Sequence, residues 1–211
     1  VLLAVAVIGL YTFLGGFMAV SWTDFIQGTL MLLALVIVPL AIIIGMGGFK
    51  ELWQQIVNVN PDLLYANRVV NFDLSENIKW VSAQEGLTFI SLISLLGWGL
   101  GYFGMPHILV RFMGIKSPKQ LPVSQFVGVS WVVISLIGAV FVGIIGIVYL
   151  PEPLGNTETV FLELLQELFN PWLAGVFLAA VLAAIMSTID SQLLVSSSAL
   201  AEDVYKAMLR P

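Results

Sequence analysis

One stretch decides the fold of this chain: Gly97-Trp98-Gly99-Leu100-Gly101-Tyr102-Phe103-Gly104-Met105-Pro106-His107. It lies inside a segment of 25 positions, from Gly86 to Val110, that contains no Asp, Glu, Lys or Arg. A helix of roughly 20 apolar residues spans a bilayer, so the segment is long enough to cross a membrane. Its middle nevertheless holds four glycines within eight residues and then a proline, and these are the two poorest helix formers. The sequence therefore predicts a membrane helix that is interrupted in its middle.

An interrupted apolar helix is typical of a binding site in a transporter. Unwound backbone is tolerated at membrane depth only where it is buried in protein or lines a cavity, and there it can bind solutes and ions. The alternative is a kinked or closely packed helix, because Gly and Pro are commoner in membrane helices than in soluble ones. The break alone leaves both interpretations open.

The composition identifies an integral membrane protein. Of the 211 residues, 59% are hydrophobic and only 10% are charged, whereas a soluble domain carries about 25% charged residues. The absence of cysteine excludes disulfides and thiol catalysis. An intramembrane enzyme is disfavoured because no nucleophile–base pair is evident. The net charge of −5 argues against nucleic acid as a partner.

Charge-free windows predict one transmembrane region, 1–211, with helical spans at about 1–20, 25–48, 86–112, 122–150 and 171–200. A tight turn from Gly15 to Asp24 is expected between the first two spans. Because cytoplasmic loops are rich in Lys and Arg, the basic residues after the third and fifth spans place the tail 203–211 in the cytoplasm. The loop 49–85 and an amphipathic helix at 157–169, either a lid or a packing helix, are then external. Since the chain starts in apolar sequence without Met, we expect a piece of a longer protein with further helices.

Two aromatic residues in the broken helix are candidates for contact with a solute. Trp98 and Tyr102 are four positions apart, so a continuous helix would place both rings on one face. Aromatic faces suit small aliphatic rings and cationic solutes. Ordinary packing of the two rings is the alternative.

A second candidate set lies in the last predicted span. Ala184, Ser187 and Thr188 stand at i, i+3 and i+4 and share one helical face. A carbonyl and two hydroxyls supply part of the neutral oxygen cage that a hard cation such as Na⁺ prefers. Small and hydroxyl-bearing residues also serve as ordinary packing devices between membrane helices. Spacing alone does not decide between an ion site and packing.

Two acidic residues are further candidates. A carboxylate in the hydrocarbon region costs roughly 2.5–3.5 kcal/mol on insertion scales, which makes Asp190 a functional candidate. Its position near the end of a span also allows it to face water. Asp24 follows Thr23 at the start of the second predicted span. Either an ion ligand or a helix N-cap fits that position.

Several segments together resemble the sodium:solute symporter family, in the same order along the chain. They are Tyr11-Thr12 and Gly15-Gly16-Phe17, Val20-Ser21-Trp22-Thr23-Asp24, Gly97 to Phe112, Phe169 to Gly175, Ala183 to Thr188 with Gln192-Leu193-Leu194, and Glu202 to Lys206. The combination is specific, whereas any single segment would be a weak match. The loop 49–85 is the least similar part.

The resemblance implies an inverted-repeat transporter core of two five-helix halves with one discontinuous helix, in a multi-pass protein of the cell membrane. It implies a secondary active transporter rather than an enzyme, with Na⁺ as the coupling ion and L-proline as the expected solute. Pantothenate, a sugar, another amino acid or a role as a solute sensor remain alternatives. The solute residues implied are Trp98, Tyr102 and Pro106, with Gly101 of the same break.

The resemblance also implies the ion ligands. Ala184, Ser187 and Thr188 correspond to the family's sodium site. A second sodium or coupling position involves Asp24 and Ser191, and Asp190 beside Ser191 is included with them. The chain lacks the first core helix, which completes these sites in the family, so we expect it not to transport by itself.

Overall fold

A computed structural model of the chain describes residues 2–65, 67–73, 79–82, 86–150 and 154–209. Within these ranges the chain is almost entirely helical, and the long helices are α1 (Leu2–Gly45), α5 (Leu121–Tyr149) and α7 (Pro171–Ala199). The shorter helices are α2 (Phe49–Val59), α3 (Phe89–Leu100), α4 (Pro106–Met113) and α6 (Val160–Leu168), and a π-helical segment, Leu200–Leu209, continues α7. Strands β1 (Val70–Asp73) and β2 (Lys79–Ser82) form a small antiparallel hairpin in which Val70 lies opposite Ser82. The predicted all-α class is confirmed.

Three helical stretches are long and apolar enough to cross a membrane within the described residues. They are Val5–Gly45, Pro118–Tyr149 and Pro171–Lys206, and α3 is a shorter apolar helix. Many of their large apolar side chains are exposed, and Trp172 has 88% of its surface accessible. Such surfaces suit lipid or other membrane helices. The chain is therefore a membrane protein, while the number of crossings and the side that each loop faces stay predictions.

The interrupted helix is present where the sequence places it. α3 ends at Leu100, the 3₁₀ turn Gly101–Gly104 follows, and α4 starts at Pro106. Met105 is extended (φ −72°, ψ 115°), because the residue before a proline is pushed out of the helical region. Pro106 occupies the first helical position, where its missing N–H costs no hydrogen bond. The discontinuous helix is confirmed.

Of the tight turn expected from Gly15 to Asp24, the structure shows a kink at Gly16, where two helices meet. The 44-residue α1 consists of two helices joined across this kink, and within it Gly16 alone has non-helical backbone angles (φ 53°, ψ −146°). Glycine reaches this positive-φ conformation without the clash that a Cβ would cause, so one residue bends the helix and no loop is needed. Asp24 lies inside α1, which also makes its N-cap interpretation wrong. The predicted spans 1–20 and 25–48 lie largely within α1, whose break falls at Gly16 and not between residues 20 and 25.

The chain divides into two compact units. One contains residues 1–35, 104–135 and 169–211, and the other contains residues 36–103 and 136–168. In the first unit, Trp131 on α5 donates its indole N–H to the carbonyl of Gly28 on α1 (3.3 Å). In the second unit, Phe49 and Phe141 pack edge to face with ring centroids 6.0 Å apart.

The amphipathic helix expected at 157–169 is present as a 3₁₀ turn, Thr157–Thr159, followed by α6. Leu164 and Leu165 of α6 are fully buried, and Val160 lies directly against Gly146 of α5. Of the two interpretations, the structure favours a packing helix over a solvated lid. Its external location stays a prediction. Residues 1, 66, 74–78, 83–85, 151–153 and 210–211 lie outside the described residues, including parts of loop 49–85 and of the tail 203–211.

We expect Gly146→Ala to lower the stability of the protein. A Cβ at this position would overlap the Cγ2 of Val160, and overpacking of this kind costs about 1–3 kcal/mol. Gly143→Ala is the matched control, because a Cβ there meets nothing within 4 Å. The measurement is the thermal unfolding midpoint in detergent. A lower midpoint for both variants, or for neither, would contradict the α5–α6 contact.

Candidate functional site

Three helices of the first unit bring an ionic cluster together around Asp24. Arg111 at the end of α4 donates to the Oδ2 of Asp24 on α1 and to the Oγ of Ser191 on α7 (2.5 Å for the latter). The Asp24 side chain is only 8% exposed, whereas that of Arg111 is 48% exposed. The guanidinium thus reaches from the surface to a carboxylate that is almost wholly buried.

Asp190 adds a second carboxylate to this cluster. Its side chain is fully buried, and its Oδ2 accepts a hydrogen bond from the hydroxyl of Tyr11 on α1 (2.7 Å). Its Oδ1 lies 3.3 Å from the Oγ of Ser191, which also lies 3.4 Å from the Oδ2 of Asp24. Burial of Asp190 excludes the interpretation that it merely faces water. Two carboxylates and one guanidinium then leave an excess of negative charge.

The cluster also has more acceptors than donors. The hydroxyl of Ser191 faces three acceptors, of which the carbonyl oxygen of Ser187 is nearest at 2.8 Å. A hydroxyl has one hydrogen, so this contact leaves Asp190 Oδ1 without the proton of Ser191. Asp24 Oδ1 is buried with no hydrogen-bond partner among the described residues. Carboxylate and hydroxyl oxygens in this state fit a hard cation, which accepts oxygen ligands and balances the charge.

The three residues of the other predicted ion position also converge. The hydroxyls of Ser187 and Thr188 both donate to the carbonyl oxygen of Ala184, each at 3.1 Å. Such bonds to the preceding turn are what ordinary packing predicts, yet the lone pairs of both hydroxyls stay open to a ligand. Ser187 also accepts from Ser191. The two candidate ion positions therefore lie on adjacent turns of α7.

The solute candidates lie partly in the second unit. Trp98 and Tyr102 form an edge-to-face pair with ring centroids 4.9 Å apart and planes at 70°. The helix ends between them, and the N–H of Gly101 bonds to the carbonyl of Trp98. Trp98 is 69% exposed and Tyr102 43% exposed, so both rings are accessible to a ligand. Pro106 begins α4 and belongs to the first unit.

Two residues of the cluster were not assigned a role at the site from the sequence. Arg111 counted as one of the basic residues after the third span and as part of the family-like segment Gly97 to Phe112, and Tyr11 counted as part of another such segment. One available signal was that a buried carboxylate is strongly destabilised unless a cation or hydrogen-bond donors accompany it. That rule predicts partners for Asp24 and Asp190 but does not say which residues they are.

Comparison with known proteins gives a consistent result. The model of the sodium:solute symporter family matches residues 1–211. The chain is 47% identical over 208 residues to the sodium/proline symporters of Salmonella typhimurium and Escherichia coli, covering 95% of this chain. It is 48% identical over 199 residues to sodium/proline symporter 2 of Staphylococcus saprophyticus, covering 93% of this chain.

These matches cover only part of the relatives. The chain spans 38% of the length of the first two symporters and 35% of the third. No solved structure matches the chain.

Proposed function

This chain belongs to the sodium:solute symporter family, and we propose that it forms part of a sodium-coupled proline symporter of the cytoplasmic membrane. The identity of 47% to two sodium/proline symporters over 95% of the chain supports proline as the solute. The acidic cluster supports a cation as the coupling substrate. The observation that carries the proposal is that Asp24 Oδ1 is buried and has no hydrogen-bond partner in the part of the chain that the structure describes.

Sodium is assigned to two neighbouring positions on α7. The carbonyl of Ala184 and the hydroxyls of Ser187 and Thr188 contribute neutral oxygens to the first, and a helix outside this chain completes it. Asp24, Asp190 and Ser191 contribute to the second, where two carboxylates supply negative charge. Hard oxygen ligands of these kinds are the usual environment of coupling ions in such transporters.

Proline is assigned to the broken helix. The rings of Trp98 and Tyr102 offer an accessible aromatic surface, which suits the aliphatic ring of proline. Gly101 and Pro106 flank the unwound segment, where free backbone groups can bind the polar end of the solute. The inverted-repeat arrangement of ten core helices belongs to this proposal.

Coupling requires that sodium binds the outward-open and inward-open states with different affinity, because equal affinity would shift neither population. Ligands that come from α1 and α7 satisfy this requirement if the two helices move relative to the helices outside this chain. Ion binding then stabilises the state that accepts proline. Transport, rather than a chemical reaction, is the activity proposed.

The test is uptake of labelled proline by the full-length protein in vesicles, with an inward Na⁺ gradient or an equal inward K⁺ gradient. Accumulation only with Na⁺, blocked by unlabelled proline and not by pantothenate or sugars, supports the proposal. Sodium-driven uptake of a different solute would contradict the assignment of proline as the solute, but it would agree with the proposed sodium positions. Absence of uptake for every solute would contradict transport and favour a sensor.

Thr188→Ala is expected to raise the sodium concentration that gives half-maximal proline uptake by about tenfold. A contact to a charged group is worth about 1.5–3 kcal/mol, and 1.4 kcal/mol corresponds to a factor of ten, so the lower end of this range gives the expected shift. The matched control is Thr29→Ala, because Thr29 also donates to the carbonyl four residues earlier (2.7 Å) but lies away from the site. An unchanged sodium requirement in Thr188→Ala would contradict the assignment of Thr188 as a sodium ligand.

A further inference from the structure

The hydrogen bond between Tyr11 and Asp190 joins α1 to α7 on one side of the break at Gly16. Tyr11 precedes Gly16 and donates to Asp190, while Asp24 follows Gly16 and contacts the adjacent residue, Ser191. Two consecutive residues of α7 thus contact α1 on both sides of its single non-helical residue. Because glycine has the widest backbone freedom, these contacts restrict the angle between the two parts of α1.

The same bond decides which oxygen of Asp190 is available. The phenol of Tyr11 has one hydrogen, and at 2.7 Å it occupies Oδ2. Oδ1 faces Ser191, whose hydrogen goes to the nearer carbonyl of Ser187. Asp190 Oδ2 therefore accepts the hydrogen bond from Tyr11. Asp190 Oδ1 faces the cluster around Asp24 and is available to accept a ligand contact. Without the phenol, the carboxylate would lose its closest donor and the hydrogen bond that orients it.

We propose that Tyr11 is a positioning residue of the second sodium position. Its hydroxyl holds Asp190 so that Oδ1 stays beside Ser191 and Asp24, and it fixes the part of α1 that precedes Gly16. Tyr11 itself contributes no oxygen to the ion, because its contact is made on the opposite oxygen of Asp190. This inference rests on the proposed sodium site and adds to it a residue that holds the ligands in place.

The experiment measures how sodium stabilises the purified full-length protein against heat, at constant ionic strength with K⁺ as the replacement. Tyr11→Phe should need about tenfold more sodium than the wild type to reach the same rise in unfolding temperature, because a hydrogen bond to a charged group is removed. This concentration is the sodium requirement. At saturating sodium, the proline concentration for half-maximal uptake should change less than about twofold. Tyr149→Phe is the control. It also removes a phenol hydroxyl, but from a tyrosine on α5 that lies outside the cluster.

A double-mutant cycle separates positioning from a general loss of stability. In an Asp190→Ser background the hydroxyl of Tyr11 no longer has its acceptor, so Tyr11→Phe should shift the sodium requirement by less than about twofold. A role in folding alone would lower the unfolding temperature without sodium and leave the sodium requirement unchanged.

The outcomes distinguish this inference from the function on which it rests. A wild-type protein without sodium-specific stabilisation would contradict both. Sodium-specific stabilisation of the wild type with an unchanged requirement in Tyr11→Phe would contradict only the role of Tyr11. An equal shift by Tyr11→Phe in the wild-type and Asp190→Ser backgrounds would also overturn it, because Tyr11 would then act by another route.

Discussion

Asp24→Asn in the full-length protein is expected to raise the sodium concentration for half-maximal proline uptake by about 10- to 100-fold. Asp24 is almost wholly buried, and its Oδ1 has no protein partner among the described residues. A contact to a charged ligand is worth about 1.5–3 kcal/mol, which converts to this range at 1.4 kcal/mol per factor of ten. The measurement is the sodium dependence of labelled proline uptake in vesicles.

The control must separate an ion ligand from a structural ion pair. In Asp24→Asn the guanidinium of Arg111 loses its carboxylate, although its side chain is 48% exposed and can turn to water. If only the unpaired cation mattered, the double variant Asp24→Asn/Arg111→Gln would recover the sodium dependence of the wild type. We expect no recovery, because the double variant still lacks the carboxylate. Asp203→Asn, at an exposed acidic residue, should leave the sodium dependence unchanged.

Trp98→Ala is expected to raise the proline concentration for half-maximal uptake by about 10- to 100-fold, with a smaller effect on the sodium requirement. Burial of an apolar ring against an aromatic side chain is worth about 1.5–3 kcal/mol, and the variant also removes the ring that contacts Tyr102. Uptake measured over a range of proline concentrations at saturating sodium gives the first quantity. Uptake over a range of sodium concentrations gives the second.

Trp172→Ala is the matched control for this variant. Trp172 is even more exposed, at 88%, but it lies in the first turn of α7, away from the break. It should leave the proline requirement unchanged. Trp98→Phe keeps an aromatic ring, so its proline concentration for half-maximal uptake should lie between those of the wild type and Trp98→Ala. A larger effect of Trp98→Ala on sodium than on proline would contradict the assignment of the solute to this helix.

The break between α3 and α4 could be predicted from the sequence because its cause is local. Four glycines and Pro106 disfavour a helix wherever they are placed, and the proline also sets the conformation of Met105. The turn expected between Gly15 and Asp24 is confined in the structure to a kink at Gly16. The first span was predicted to run to residue 20, past both glycines, whereas the helix breaks at Gly16 and Gly15 keeps helical geometry.

The partners of the acidic residues could not be predicted in the same way. Tyr11 and Asp190 are 179 positions apart, and Arg111 and Asp24 are 87 positions apart. Helical periodicity assigns a residue to a face but does not say which helix that face meets. Residue patterns therefore indicated Asp24 and Asp190 separately, the family resemblance grouped them with Ser191, and the structure adds their partners Tyr11 and Arg111.

Sodium binding to the purified full-length protein tests the central claim most directly. At a sodium concentration just sufficient to saturate the wild type, Asp24→Asn should bind up to one sodium-22 ion fewer per protein, because its weakened position fills only at about 10- to 100-fold higher sodium, while the ion at Ala184, Ser187 and Thr188 remains. This readout does not require transport, so it stays valid in a variant that cannot complete the cycle. An unchanged number of bound ions in Asp24→Asn would contradict the assignment of a sodium position to the cluster.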